Sequence, residues 1–530
     1  MKKILMSIFA VASLALTSCN MDLDAPGSVP DTDGIQTADD CLAFRNGIYG
    51  SIRSITSGSY VTSTELEMDQ FNAVRDNGSR GLVWANGTIN SATGDIATFY
   101  GNCYSMMKNI NFFLEHAQTL IDNGVIEGED MINVKRYIAE TKFIRAYIYY
   151  WLFDHYCQPY SSDKANSPAL GLQLVTKYAP SSDQSTYPGR STMAETVKLI
   201  NDDLNDALAG LKEYEQSGLE NCTANLRPNA PYLSSLAVEA LQARVALLTQ
   251  DYTTAIEKAN NVINSDRYAL CTGDDYINMW SADEGSELIF VPFGNANENG
   301  GIGSFMNAWA YTDKFPSRVD YVPSFSTLYS FMTVAGNQIL FNDIRFDAFF
   351  TGLDMNVEGT QTAGLIFYKF PGNDELKAGK NEYKNKPKPF RLSEQYLILA
   401  EAAAMSNQGT VANNALNTLR AARIEGYQDA NYSGTALIEQ IREERAKELL
   451  GEGFRKSDLR RWGLGFKRDP QFPDSFFGAF FPGFTNIADC YITSTLGVTF
   501  VANDYRYTWP IPSDEMQVTP ALKGQQNPGY

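Results

Sequence analysis

Apolar residues recur at helical spacing over long stretches of the chain: Asp39 to about Ile55, Asp95 to Ile121, Met131 to Tyr156 and Thr192 to Leu211. In the third stretch Ile144, Tyr147, Ile148, Trp151 and Leu152 leave almost no polar face, which predicts a central helix buried all round. Further on, Pro231 is placed to open a helix, with Leu233, Leu236, Ala237, Ala240, Leu241, Leu247 and Leu248 along one face. A Gln250-Asp251 turn follows, and Tyr252, Ala255, Ile256, Ala259 and Ile263 line a second helix. Paired helices with alanines at the crossing look like a tetratricopeptide unit. A second pair runs from Leu392 to Met405 and from Val411 to Arg423. No strict repeat of about 34 residues links the two, so the pattern predicts a helical scaffold and not a regular solenoid.

Between the pairs, from about Cys271 to Phe390, helical stripes become scarce. Gly294 to Ser304 (GNANENGGIGS) must be loop, and aromatic residues crowd around it. Gly58 to Asn90 has the same character, mixing glycine and asparagine with Arg75, Arg80 and Trp84. Long irregular loops on a rigid body are where binding residues usually sit. The expected fold is mainly α, with tetratricopeptide-like pairs and irregular loop-rich stretches, in one large domain or two or three ordinary ones.

The first residues belong to a different class. Lys2 and Lys3 precede an apolar run from Ile4 to Leu16, shorter than the about 20 residues a bilayer span needs. The run closes on Leu16-Thr17-Ser18-Cys19, the lipobox of bacterial lipoproteins, in which the Cys19 thiol receives lipid. The expected division is a signal peptide at 1–18, a flexible tether at 19–38 and the body of the chain at 39–530, in which 39–270 is helical, 271–390 is loop-rich and 391–530 forms a C-terminal part.

Composition narrows the functions. The chain has 530 residues with a net charge of −19, which argues against nucleic acid and anionic head groups as partners. Cys41, Cys103, Cys157, Cys222, Cys271 and Cys490 show no metal-site spacing and read mainly as buried free thiols. His116 and His155 both fall in apolar helical patterns, which gives little support to histidine-dependent catalysis. The pairs Asp31/Asp33 and Asp274/Asp275 lack the order of a calcium loop, and no cofactor motif is visible. Arg442, Glu443, Glu444, Arg445, Lys447 and Glu448, followed by Asp458, Arg460, Arg461 and Trp462, read as scaffold. Glu443 is spaced to pair with Lys447, and Trp462 reads as a core plug.

Several segments, in order, resemble the SusD/RagB family of Bacteroidetes outer-membrane lipoproteins. They are RAYIYYWLFDHYCQPY (Arg145 to Tyr160), PSFSTLYSF from Pro323, Asn342-Asp343-Ile344-Arg345 and RLSEQYLILAEAAA (Arg391 to Ala404). ALNTLRAAR (Ala415 to Arg423), IREERAKELLGEGFRKSDLRRWG (Ile441 to Gly463) and WPIPSDEMQVTPALKGQQNPGY (Trp509 to Tyr530) complete the set. The resemblance implies a mainly α fold, a single large helical domain over 39–530 with four tetratricopeptide-like units and an irregular, loop-rich ligand-binding lobe, and nutrient capture for a TonB-dependent, SusC-like transporter. Sugars present apolar faces and rings of hydroxyls, which aromatic and polar side chains can cover. Trp84, Trp309 and Tyr311 are the platform candidates, with Arg75, Arg80, Asn86 and Asn295 as polar partners; burial is the alternative for either tryptophan. Glycan capture without catalysis is the expected function. Peptide capture, a surface glycoside hydrolase and a pure protein scaffold are the alternatives.

Overall fold

The computed structural model describes residues 34–73, 81–297, 311–312, 315–316, 321–336, 338–357, 360–376, 384–469, 476, 479–481, 483–484 and 498–530. The helices, in order, are α1 (Ala38–Ile55), α2 (Ser59–Glu67), the single turn α3 (Leu82–Ala85), α4 (Gly94–Asp122), α5 (Gly128–Tyr156) and α6 (Met193–Glu215). Next come α7 (Ser235–Leu248), α8 (Tyr252–Ile263), α9 (Gly273–Ala282), α10 (Phe325–Tyr329) and α11 (Ile344–Phe349). The C-terminal part holds α12 (Leu392–Met405), α13 (Gly409–Ala421), α14 (Gly434–Glu448), α15 (Arg455–Arg461) and α16 (Ser513–Val518).

Helix α5 is the axis that the apolar pattern predicts: α1, α4 and α6 pack around it, and α7 touches it. Its neighbours α1 and α6 start at capping boxes, Thr37 with Asp40 and Thr192 with Glu195, which satisfy the first free backbone N–H groups. The pairs α7/α8 and α12/α13 meet in one core in which Ala243, Ala246, Ala255, Ala259, Ala400, Ala403, Ala412 and Ala415 let the backbones approach closely. Helix α7 begins four residues later than Pro231 suggests. The Ser234 side chain supplies the missing acceptor for the Ala237 N–H at 3.3 Å, so the serine and not the proline sets the start.

Helix α2 lies inside a stretch expected to be loop. Its buried residues include Ser63, Thr64, Glu65 and Glu67, so it carries no apolar stripe to read. Strands are short and paired in twos. The longest ladder joins Phe350–Val357 to Thr360–Phe367. Another joins Phe71–Ala73 to Tyr321–Pro323, with Ala73 opposite Tyr321.

A buried lattice of ion pairs ties the C-terminal helices to the lobe. Arg345 contacts Asp343 at 2.8 Å, Glu444 at 2.6 Å and Glu448 at 3.1 Å. Arg391 reaches Glu287 at 2.7 Å, Glu448 at 2.9 Å and Glu452 at 2.5 Å. Arg423 reaches Glu287 at 2.8 Å and Glu448 at 3.0 Å. Lys447 turns to Asp343 at 2.7 Å and not to Glu443, which stays exposed and accepts from Gln440. The charged motif is therefore scaffold, as expected, but much of it is buried. Trp462 is half-buried, a rim residue and not a core plug, with its indole N–H on Glu401 at 2.8 Å.

Burial alone would raise the carboxyls of this lattice, but the guanidiniums beside them win. Asp343, next to Arg345 and Lys447, is held at about 2, and Arg423 and Arg391 hold Glu448 well below the usual carboxylate range. Because these folded-state pKa values lie below the unfolded ones, their stabilisation is complete above about pH 4.5 and is lost as the pH falls toward 2. Unfolding free energy measured by urea titration should decline through that window. Glu448→Gln, which leaves three buried arginines short of a partner, should cost about 3–5 kcal/mol at pH 7. Glu443→Gln should change it by less than about 0.5 kcal/mol.

Candidate functional site

A concavity opens where four stretches far apart in sequence meet: the α1–α2 turn, the C-terminal third of α5, residues 385–389 and the turn between α14 and α15. It holds about 950 Å3 of empty space, open to solvent. Thr56, Ser57 and Gly58 come from the first stretch, and Gly58 enters α2 with φ +57°. Tyr147, Tyr150, Trp151 and Asp154 project from α5. Pro387 and Pro389 keep the third stretch extended, and Asp283 pins it. The Asp283 carboxylate accepts from the Asn385 amide at 2.9 Å, the Lys386 N–H at 2.9 Å and the Lys388 ammonium at 2.6 Å.

The fourth wall, Gly451-Glu452-Gly453-Phe454, needs its glycines. Gly451 has φ +77°, and a Cβ there would sit 2.7 Å from the Phe367 ring. Gly453, at φ +88°, donates its N–H to Glu65 at 2.6 Å. Burial lifts the Glu65 carboxyl to about 8, so it is an uncharged acid at pH 7. Lys369, lowered to about 8 by burial, closes the turn from below through the carbonyls of Glu448 and Leu450 and the Glu452 carboxylate.

The lining is aromatic with polar breaks. Tyr60, Tyr147, Tyr150, Trp151, Trp280, Phe370 and Phe454 supply ring surface, and Lys386 stands half-exposed among them. Asp154 and Glu452 also line the space, but each is engaged, with Arg460 at 3.3 Å and with Arg391 at 2.5 Å. Trp280 is 1% exposed, and its indole N–H has no hydrogen-bond partner among the described residues. Buried donors are normally satisfied, and this one lies out of reach of solvent behind the cavity surface. His155 is held near 3 by burial and stays neutral, stacked on Trp151 at 4.3 Å between ring centroids.

The candidates read from sequence are distributed unevenly. Trp84 is 2% exposed, its indole N–H on Asp95 at 3.0 Å and its ring against Phe99 and Trp509. Phe99 in turn meets Tyr60 and Trp151, so Trp84 stands in the layer behind the cavity wall and offers no open ring face. Asn86 is half-buried at the C-cap of α3. Asn295 is exposed, on the stretch whose Phe293 carbonyl accepts from Arg53 at 2.8 Å in the last turn of α1, next to the cavity residues of the α1–α2 turn. Tyr311 pairs its strand Tyr311–Thr312 with Phe315–Pro316. Cys19, Arg75, Arg80 and Trp309 lie outside the described residues. The two loop regions nevertheless share a root: Ala73 pairs with Tyr321, and a Cβ on Gly81 would lie 3.4 Å from the Tyr321 ring.

The cavity residues on α5 were legible only as core. The one sequence signal for the site was Asn385-Lys386-Pro387-Lys388-Pro389, a polar, proline-spaced stretch just before a helix. Cys41, Cys103, Cys157 and Cys271 are buried free thiols, Cys222 is half-buried and free, and Cys490 lies outside the described residues. No described helix is long and apolar enough to cross a membrane.

A helical scaffold with tetratricopeptide-like pairs and an open aromatic cavity is the class of protein this geometry defines. Residues 351–530 match the family model described as the SusD family, and residues 49–247 match one described as starch-binding, associating with outer membrane. The chain belongs to the SusD family. The fold is similar to a SusD superfamily protein from Bacteroides thetaiotaomicron, with 23% identity, a TM-score of 0.71, and coverage of 93% of this chain and 100% of that one. A SusD-like carbohydrate binding protein from Bacteroides vulgatus matches with 17% identity and a TM-score of 0.67, over 93% of this chain and 98% of that one. Surface glycan-binding protein A from Bacteroides fluxus matches with 20% identity and a TM-score of 0.62, over 94% of this chain and 100% of that one. No curated protein matches the chain in sequence.

Trp84→Ala should lower the unfolding free energy by about 3–5 kcal/mol, as expected for emptying a core position. Asn295→Ala should leave it within about 0.5 kcal/mol, and denaturant titration of both variants distinguishes wall support from surface.

Proposed function

We propose that this protein binds glycans at the cell surface, in the cavity between α5 and the α14–α15 turn, and passes them to a TonB-dependent outer-membrane transporter. The observation that carries the reading is the cavity lining: ring faces from Tyr60, Tyr147, Tyr150, Trp151 and Phe454 beside polar groups, including the half-exposed Lys386. Rings cover the C–H faces of a sugar, and the polar groups exchange hydrogen bonds with its hydroxyls. The likeness to glycan-binding proteins of the same fold supports this ligand class. Lipid on Cys19 would hold the chain to the outer membrane, and the stretch after it would act as a tether, so the domain could sit over its transporter as a lid.

Retardation in gels containing defined polysaccharides tests the reading. At least one glycan should slow the protein, and Phe454→Ala and Lys386→Ala should each weaken the effect about three- to tenfold, the worth of one ring or polar contact. Binding of peptides with no retardation by any glycan would overturn it.

A further inference from the structure

A second concavity, separate from the proposed glycan cavity, lies where the α7–α8 turn, the end of α12, α14 and the end of α15 come together. It holds about 610 Å3 of empty space and is lined by Tyr252, Met405, Ile438, Ile441, Arg442 and Trp462 among others. Its apolar surface is not sealed, since Met405 is 44% exposed and Trp462 is half-buried.

The ionic pairing here has one member left over. Around the groove, Arg420 takes Glu444 at 2.7 Å, Arg445 takes Asp458 at 2.9 Å, and Arg461 takes Glu401 at 2.7 Å. Glu401 also accepts the Trp462 indole N–H at 2.8 Å and stands 3.6 Å from Arg445, so its oxygens are committed. Arg442 forms no close ion pair among the described residues, although Glu401 and Glu439 lie near enough to act on it electrostatically. Its Nε is out of solvent with no hydrogen-bond partner, and its guanidinium lies 5.1 Å from the centre of the Trp462 ring. A guanidinium prefers planar, bidentate carboxylate recognition, and a buried N–H without an acceptor is costly.

We propose that this groove binds a segment of a partner protein that presents a carboxylate to Arg442 while an adjacent apolar side chain fills the space beside Trp462, Met405 and Ile438. Tyr252, Ala404, Met405, Ile438 and Ile441 supply the apolar part of the wall beside Arg442, and Gln250, Glu401 and Arg461 supply the polar part. Met405 suits an apolar peptide side chain, because its unbranched thioether can adjust to different shapes.

The experiment is a calorimetric titration of the intact mature chain with the capped peptide acetyl-Ala-Leu-Asp-Ala-amide and with its Asn counterpart. The Asp peptide should bind at least tenfold more tightly, and Arg442→Gln should erase that difference. Met405→Glu, which places a carboxylate within the groove and leaves Arg442 intact, should block the Asp peptide while thermal unfolding stays as in the parent. Glycan retardation should be unchanged in both variants, which separates this site from the cavity beside α5. Equal binding of the two peptides, no binding of either, or binding of an oligogalacturonate in their place would each overturn the proposal.

Discussion

Glu448 carries more of this structure than any other single side chain. It sits at the last turn of α14, and its carboxylate is shared by Arg345 from α11, Arg391 at the start of α12 and Arg423 just beyond α13. Three cations stripped of water need a dense set of carboxylates around them, and Asp343, Glu287, Glu444 and Glu452 complete it. Each of these residues is expensive alone and tolerable only together. The lattice therefore adds directional polar contacts between segments that also share the apolar clusters around Leu397, Leu416, Leu419, Leu437, Ile441 and Leu449.

The glycine turn that follows is a direct result. Once Glu448 is pinned, the chain must reverse at once, and Gly451 and Gly453 take left-handed conformations to do it. Lys369 and Glu65 hold the exposed peptide groups of that turn. The wall it forms faces the tyrosines of α5, whose own position is set by ordinary helix packing. The cavity is thus the seam between an apolar helical core and an ionic C-terminal block, and a seam of that kind keeps rings and polar groups side by side.

The seam was hard to see from one dimension. Helix periodicity located α1, α4, α5, α6 and both tetratricopeptide-like pairs, because each buries an apolar face against a neighbour. It missed α2, whose inward face carries Glu65 and Glu67 to meet Gly453 and Lys456. Loop composition made Trp84 a candidate platform with burial as the alternative, and the structure seals it behind Phe99 and Trp509. An indole in a loop has no periodic neighbours to report which way it points. Most of the charged motif from Arg442 to Trp462 is buried scaffold, yet its spacing could not reveal that Glu448 faces three arginines or that Arg442 forms no close ion pair among the described residues.

The sequence by itself determined the helical class, the order of the main helices and the family resemblance that its ordered motifs carry. Those properties reside in local periodicity and short contiguous patterns. The tertiary structure alone decided which aromatic rings line a cavity and which are walled in, and which charges cancel and which remain. Those outcomes depend on partners tens to hundreds of residues away, and burial converts each such partnership from a weak surface preference into a strict requirement.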